Sequence, residues 1–295
     1  MNARYMEHIR WPPPARRIKI HVLLPATFLR DVPHLREKTV RASIIARTLS
    51  IFRVDNVTIY RDVNDNKWKE DARLLKLLLE YFKTPPYLKK FLFKKCNELK
   101  YVGVAPPLKA PSHPEHQLDF SSSFRSALIV KRENKIFAEA GLPKLVEIKN
   151  KIKVKHGDLV ILKIAKSNNT LYGEVTDSTQ IPHYWIYNVS IINNFALLIK
   201  KLHNSNNLIV STSRYGDDIR KIIGGFQEAL SNSKNVVLIF GSPKEGLKEI
   251  FKRFGLDLVQ DSDYVVNFIP LQGVKTVRTE EALISTLSII NLLID

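Results

Sequence analysis

Three short runs in the last third of the chain hold the residues best placed for chemistry. They read Leu208-Ile-Val-Ser-Thr-Ser-Arg-Tyr-Gly216, Val236-Val-Leu-Ile-Phe-Gly-Ser-Pro-Lys-Glu-Gly246 and Val265-Val-Asn-Phe-Ile-Pro-Leu-Gln-Gly-Val-Lys-Thr-Val-Arg278. Each begins with β-branched or aromatic residues, as a buried strand does, and runs into a loop of Gly, Ser, Pro or Asn. Loops of that kind at the carboxyl ends of parallel strands line the ligand crevice of open α/β sheets. Together they predict a cradle made of backbone, with two side chains able to act on what it holds. Arg214 stands just after the first strand, where a guanidinium can stabilise charge on a ligand or form a surface ion pair. Glu245 lies in the second loop, where it can place a substrate, order the loop, or cap the helix that follows.

Other chemistries find less support. The Gly241–Gly246 loop lacks the Gly-Lys-Ser/Thr of a phosphate loop, no GxGxxG occurs, and alone it reads equally as an ordinary strand-to-helix turn. His113 and His116 are split by Pro114 and have no carboxylate or thiol cluster beside them, so no metal site is expected. No Ser-His-Asp or Cys-His set suggests itself. The one cysteine, Cys96, excludes an internal disulfide and reads as a small buried residue on a helix.

The elements that must position the loops follow from the apolar pattern. Residues 17–28 form a first strand, 32–52 a helix, 57–60 a second strand and 71–82 a second helix, stopped by Thr84-Pro85-Pro86. This βαβα order means a parallel sheet. From 102 to 178 the pattern changes. A Pro- and His-rich loop (105–116) leads into five short alternating runs, at 126–130, 135–140, 144–149, 159–165 and 170–175. Turn signals at Glu133-Asn134, Gly141, His156-Gly157-Asp158 and Asn168-Asn169 separate them, as in a small antiparallel OB-like barrel. The α/β pattern then resumes: helix 191–202, strand 208–211, helix 217–230, strand 236–240, helix 244–254, strand 264–269 and helix 280–293. The expected domains are therefore a discontinuous α/β domain, 1–101 and 179–295, interrupted by a barrel at 102–178. The last helix is apolar almost all round, which suits a dimer contact or burial within one subunit.

A net charge of +17 over 295 residues points to a polyanionic partner. The alternative is a solvated basic surface, but the charge is clustered. Lys83 to Lys100 carries six lysines and one glutamate, with Tyr81, Phe82, Tyr87, Phe91, Phe93 and Tyr101 among or beside them. Between Lys131 and Lys166 lie ten basic and four acidic residues. Basic residues interleaved with aromatics suit phosphate contact and base stacking. Residues 1–17 are not a signal peptide, and the longest apolar stretch, 282–294, is too short to span a bilayer, so a cytoplasmic location is expected.

The segments Ser211–Gly216, Phe240–Leu247 and Asn267–Leu283 resemble the cofactor-binding motifs of the SPOUT (α/β-knot) RNA methyltransferases. The likeness is greatest to the archaeal and eukaryotic branch with an OB-like insert, whose first helix Ile44–Asp55 resembles and whose domain junctions Tyr101–Pro107 and Tyr184-Trp185 resemble. Ile186 departs from the glycine that the branch has there. The resemblance implies a trefoil knot, a homodimer through the knot domain and C-terminal helix, and S-adenosylmethionine as cofactor. It implies cofactor contacts from Thr212, Ser213, Gly241, Gly246, Asn267, Phe268, Ile269, Pro270, Gly273, Val274, Thr276 and Val277. The substrate it implies is RNA, ribosomal RNA before others, with uridine N3 as one target and Arg214 and Glu245 as catalytic residues. A non-catalytic RNA-binding or ribosome-assembly protein on the same scaffold is the competing reading.

Overall fold

The computed structural model describes residues 11–114, 124–132, 135–150, 152–167 and 170–294, which fall into two compact units. The larger comprises Arg16–Glu80, Cys96–Pro106 and the chain from Tyr187 on. The smaller comprises the described residues up to Ala15, Tyr81–Lys95 and Pro107–Ile186. His116 and the turns at 133–134 and 168–169 lie outside the described residues.

The larger unit starts with β1 (Lys19–Pro25), α1 (Leu35–Ile51), β2 (Asn56–Tyr60) and α2 (Trp68–Lys83), whose last residues belong to the smaller unit. β1 is buried along nearly its whole length, as a parallel strand covered on both faces must be. A short helix α3 (Pro86–Leu92) and the five strands of the smaller unit follow. The larger then continues with β8 (Asn188–Ile192), α4 (Phe195–Asn204), β9 (Leu208–Asp218), α5 (Ile219–Asn232), β10 (Asn235–Ile239), α6 (Leu247–Arg253), β11 (Tyr264–Asn267) and α7 (Thr279–Ile294). Its six strands make one parallel sheet in the order β11-β9-β10-β1-β2-β8. The direction of winding changes between β1 and β10, so the far part of β9 and the loops after β10 and β11 share one side of the carboxyl edge. The segment expected as a loop after a strand at 208–211 lies within β9, which runs straight into α5. A core cluster of Leu23, Tyr60, Phe195, Ile209, Val237, Ile239 and Phe251 packs one face of the sheet, with Tyr60 stacked on Phe195 at 4.4 Å.

Two expectations are corrected here. Residues 191–202 do not form one helix: β8 takes Asn188–Ile192, and α4 starts only at Phe195, where the Asn194 side chain accepts from Leu197 N (2.9 Å). The asparagine supplies an N-cap inside what reads as one apolar run. Cys96 is exposed and off any α-helix, because α3 ends at Leu92 and Phe93 turns extended.

α7 buries Leu283, Thr286, Leu287, Ile290 and Leu293 within the unit, packed against α1 and α5. Its opposite side leaves Ile284 (41% exposed) and Leu292 (75%) open.

In the smaller unit β3 (Phe124–Arg132), β4 (Lys135–Glu139), β5 (Val146–Ile148), β6 (Leu159–Ser167) and β7 (Thr170–Thr176) close a barrel in the order β3-β4-β5-β7-β6. All pairings are antiparallel except β5 with β7, which runs parallel. Alternation marks which residues turn inward but carries no strand direction, so this detail is not readable from it. Ala127, Ile129, Ala138, Val146 and Leu162 fill the interior.

Candidate functional site

The site is built where β9 departs from its neighbour. β9 pairs with β11 up to Ser211–Val265, and pairing resumes at Asp217–Val266, so Thr212–Gly216 bulge out of the ladder. Gly216 is why this is feasible: a Cβ there would lie 2.4 Å from Val265 O, and only a bare Cα can pass the neighbouring backbone. The bulge is tied on both sides. Thr212 Oγ1 donates to Ile239 O (2.9 Å) on β10, and Asn267 Nδ2 donates to Arg214 O (3.0 Å) from the end of β11.

The second loop, after β10, is a tight turn in which Ser242 N donates to Glu245 O and Glu245 N to Ser242 Oγ, each at 3.0 Å. A Cβ on Gly241 would sit 3.1 Å from Glu245 O, a tight contact that any larger residue there would have to relieve by a small shift of the turn. Glu245 does not cap α6. Both its oxygens lie 2.7 Å from Nη2 of Arg253 at the far end of that helix, whose Nη1 donates to Asp62 O at 2.6 Å. Arg253 was not legible in advance, since no helical i,i+4 spacing joins it to Glu245.

The third loop leaves β11 with Ile269 N bonded to Asn267 Oδ1 (3.0 Å). Leu271 is left-handed (φ 58°) and 87% exposed, a costly combination for a branched apolar residue. Phe268 is buried edge-on to Phe226 at 6.0 Å, whereas Gly273, Val274 and Thr276 are exposed and Ile269, Pro270 and Val277 half-buried. The loop rejoins the second through Thr279 Oγ1, which donates to Gly241 O (3.2 Å).

The structure thus brings the cradle residues expected from sequence to one edge, and several act as ties within it. The side chains of Thr212 and Asn267 are spent on backbone partners. Arg214 is exposed: Nη1 donates to Lys275 O (2.9 Å), Nη2 to the Tyr215 hydroxyl (2.5 Å), and the guanidinium carbon lies 4.6 Å from the Tyr215 ring centre. None of these partners is a carboxylate: among the described residues the surface ion pair does not form, and the guanidinium stands at the mouth of the loops without an acid partner.

The carboxyl ends of β1 and β2 are built differently. Asp62 is fully buried, accepting from Thr27 N (3.2 Å) and Thr27 Oγ1; burial pushes its carboxyl up against those bonds. Beside it Tyr60 donates to Phe240 O (2.7 Å), and burial followed by the Asp62 charge raises its phenol well above the usual range.

In the smaller unit, lysines and aromatics pair as their interleaving suggests. Lys89 lies over Tyr81 (4.3 Å), Lys90 over Phe91 (4.8 Å) and Lys149 over Tyr172 (4.3 Å). His113 has Nε2 2.9 Å from Lys83 O, and burial lowers its pKa to about 4.

Comparison with known proteins adds a family to this geometry. A family model described as "Putative RNA methyltransferase" matches residues 19–290. An uncharacterized protein of Haloarcula marismortui is 28% identical over 92% of this chain and 98% of its own. The 28S rRNA (uridine-N(3))-methyltransferase of Homo sapiens is 25% identical over 92% of this chain and 78% of its own. The protein of that name in Drosophila melanogaster is 26% identical over 91% and 61%.

Proposed function

The chain belongs to this family of RNA methyltransferases, and we propose that it methylates ribosomal RNA from S-adenosylmethionine, at a base nitrogen such as uridine N3. The observation that carries the reading is the set formed by the β9 bulge and the loops after β10 and β11, hydrogen-bonded to one another, with Arg214 at their mouth and without an acid partner among the described residues. The relatives named for uridine-N3 methylation in 28S rRNA match over nine-tenths of this chain and supply the substrate class.

The residues present suit this cofactor. Open apolar surface at Leu271 and Val274 fits an adenine face, and the exposed Gly273 and Thr276 offer backbone to its polar edge. Gly241 and Gly246 keep the second loop thin beside them, while Ser213, Phe268, Ile269, Pro270 and Val277 complete the wall. When bound, S-adenosylmethionine supplies a methyl group on a positively charged sulfur. The protein's share is alignment and charge. Arg214 would stabilise the negative charge left on the base nitrogen when its proton passes to solvent water. Glu245 acts through Arg253, holding the second loop against Asp62 at the end of β2.

The same reading includes a trefoil knot formed where the third loop passes against the first two. It includes a homodimer through the exposed stripe of Ile284 and Leu292 on α7, with Val40, Ile44 and Ile51 open on neighbouring α1. If the pairing is right, the wild type sediments as a dimer and Ile284→Glu/Leu292→Glu as a folded monomer. The barrel, with its parallel β5–β7 closure, is taken as an OB-type RNA-binding insert at 102–178, between the parts 1–101 and 179–295. Among the described residues no helix is long and apolar enough to cross a membrane, and a cytoplasmic enzyme is proposed.

The deciding experiment incubates the protein and methyl-labelled S-adenosylmethionine with ribosomal RNA from cells lacking the gene, then identifies labelled nucleosides by mass spectrometry. Label in 3-methyluridine is expected. RNA binding without transfer would overturn the reading in favour of a non-catalytic assembly protein.

A further inference from the structure

We propose that Tyr215 is the stacking platform on which the target base rests, a specificity-determining residue of the methylation site. The inference rests on the methyltransferase reading above and adds the group that receives the substrate.

Tyr215 is 82% exposed, an unusual position for a ring that the fold could have buried. It is nonetheless held. Its backbone N donates to Ser213 Oγ (3.2 Å), and its hydroxyl accepts from Arg214 Nη2 (2.5 Å). Arg214 in turn is pinned through its carbonyl by Asn267 and through Nη1 by Lys275 O. The following residue, Gly216, passes so close to Val265 O that the backbone has no room to shift inward. An exposed ring held by a guanidinium that is itself anchored to the third loop is a fixed flat surface.

A ring of this kind recognises another π face. One side is covered by the Arg214 guanidinium at 4.6 Å, leaving the other for a base turned out of the RNA fold. Lys244, Lys275 and Arg278 are exposed in the adjoining loops, which suits the phosphates flanking such a base. The base would then be oriented by Tyr215, with the Arg214 charge lying across the ring from it.

The test compares Tyr215→Ala, Tyr215→Phe and Tyr215→Trp on ribosomal RNA from cells lacking the gene, with cofactor affinity measured separately by calorimetry. Tyr215→Ala is expected to lower kcat/KM for RNA by about 10- to 100-fold, the scale of one lost base–aromatic stack, with cofactor affinity within about twofold of wild type. The Phe and Trp variants are expected to recover most of the loss, since each keeps a π face. The proposal is overturned if Tyr215→Ala methylates as wild type does. It is equally overturned if Phe is as poor as Ala, which would assign the role to the hydroxyl, or if cofactor affinity falls in parallel. A wild type that labels no RNA defeats the methyltransferase reading and this proposal with it. An active wild type with an indifferent Ala variant defeats this proposal alone.

Discussion

Around the segments that follow β1 and β2 arginines meet acids, some of them buried; beside the loops after β10 and β11 the Arg214 guanidinium is exposed and, among the described residues, has no acid partner. On the first side, Arg41 makes a bidentate pair with Glu280 (2.8 and 3.1 Å) and reaches Asp31 at 2.6 Å, with both Arg41 and Glu280 side chains 8% exposed. Arg30 joins Asp65 and Asp71 nearby, and the Arg30 hydrogen bond holds the Asp65 carboxyl below its usual range. On the second side, Arg214 finds a carbonyl, a hydroxyl and a ring. One sheet edge therefore has a closed half, where ions hold elements in place, and an open half, where a charge and a left-handed loop face solvent. Desolvated charges must be matched within the protein, so a fully paired network serves position. An unmatched cation beside backbone loops remains available to a ligand.

Breaking the closed half should have the largest effect. Arg41→Met strands Glu280 in a buried place at the first turn of α7, and removing one partner of such a pair costs about 3–5 kcal/mol. Denaturant unfolding should show that loss. Because Glu280 directly follows the third loop, cofactor affinity should fall as well. Stability within about 1 kcal/mol of wild type would mean that the pair does not anchor the helix.

Breaking the open half should spare the fold and affect the chemistry. Arg214→Ala is expected to leave stability within about 0.5 kcal/mol, as for an exposed surface site, while the methylation rate at saturating RNA drops about a hundredfold. An unchanged rate would assign charge stabilisation to another group, and a parallel fall in cofactor affinity would make Arg214 a tie between loops and nothing more.

The smallest effect sharpens the contrast through pH. His21 on β1 bonds Thr58 Oγ1 (2.8 Å), which meets Ser190 Oγ (2.9 Å), and burial lowers its pKa from 6.5 to about 4. Folded His21 stays neutral between those values while the unfolded chain takes up a proton. Stability is therefore fully present above pH 6.5 and lost as pH falls toward 4. His21→Gln should flatten the dependence of unfolding free energy on pH in that window. It should not abolish it, because His113 shifts in the same direction. An unaltered slope would place the acid sensitivity elsewhere.

What the amino-acid sequence determined was local: strands mostly apolar where the sheet covers both faces, alternating where the barrel covers one, and loops of Gly, Pro and Asn at strand ends. From these the parallel sheet and the five barrel strands were legible, as were the segments 212–216, 241–246 and 267–277 that the structure gathers at one edge. β8 and Cys96 were missed because Ile191 and Ile192 at the end of the strand blend into the apolar pattern of the helix that follows, and lysine–aromatic spacing continues past the point where α3 stops. Only the tertiary structure decided which distant groups meet. Arg41 and Glu280 are 239 positions apart, Arg214 and Lys275 are 61 apart, and Gly216 faces Val265 only because β9 bulges beside β11. Such meetings depend on sheet order and register, which arise when all the strands pair at once and leave no mark on any one segment.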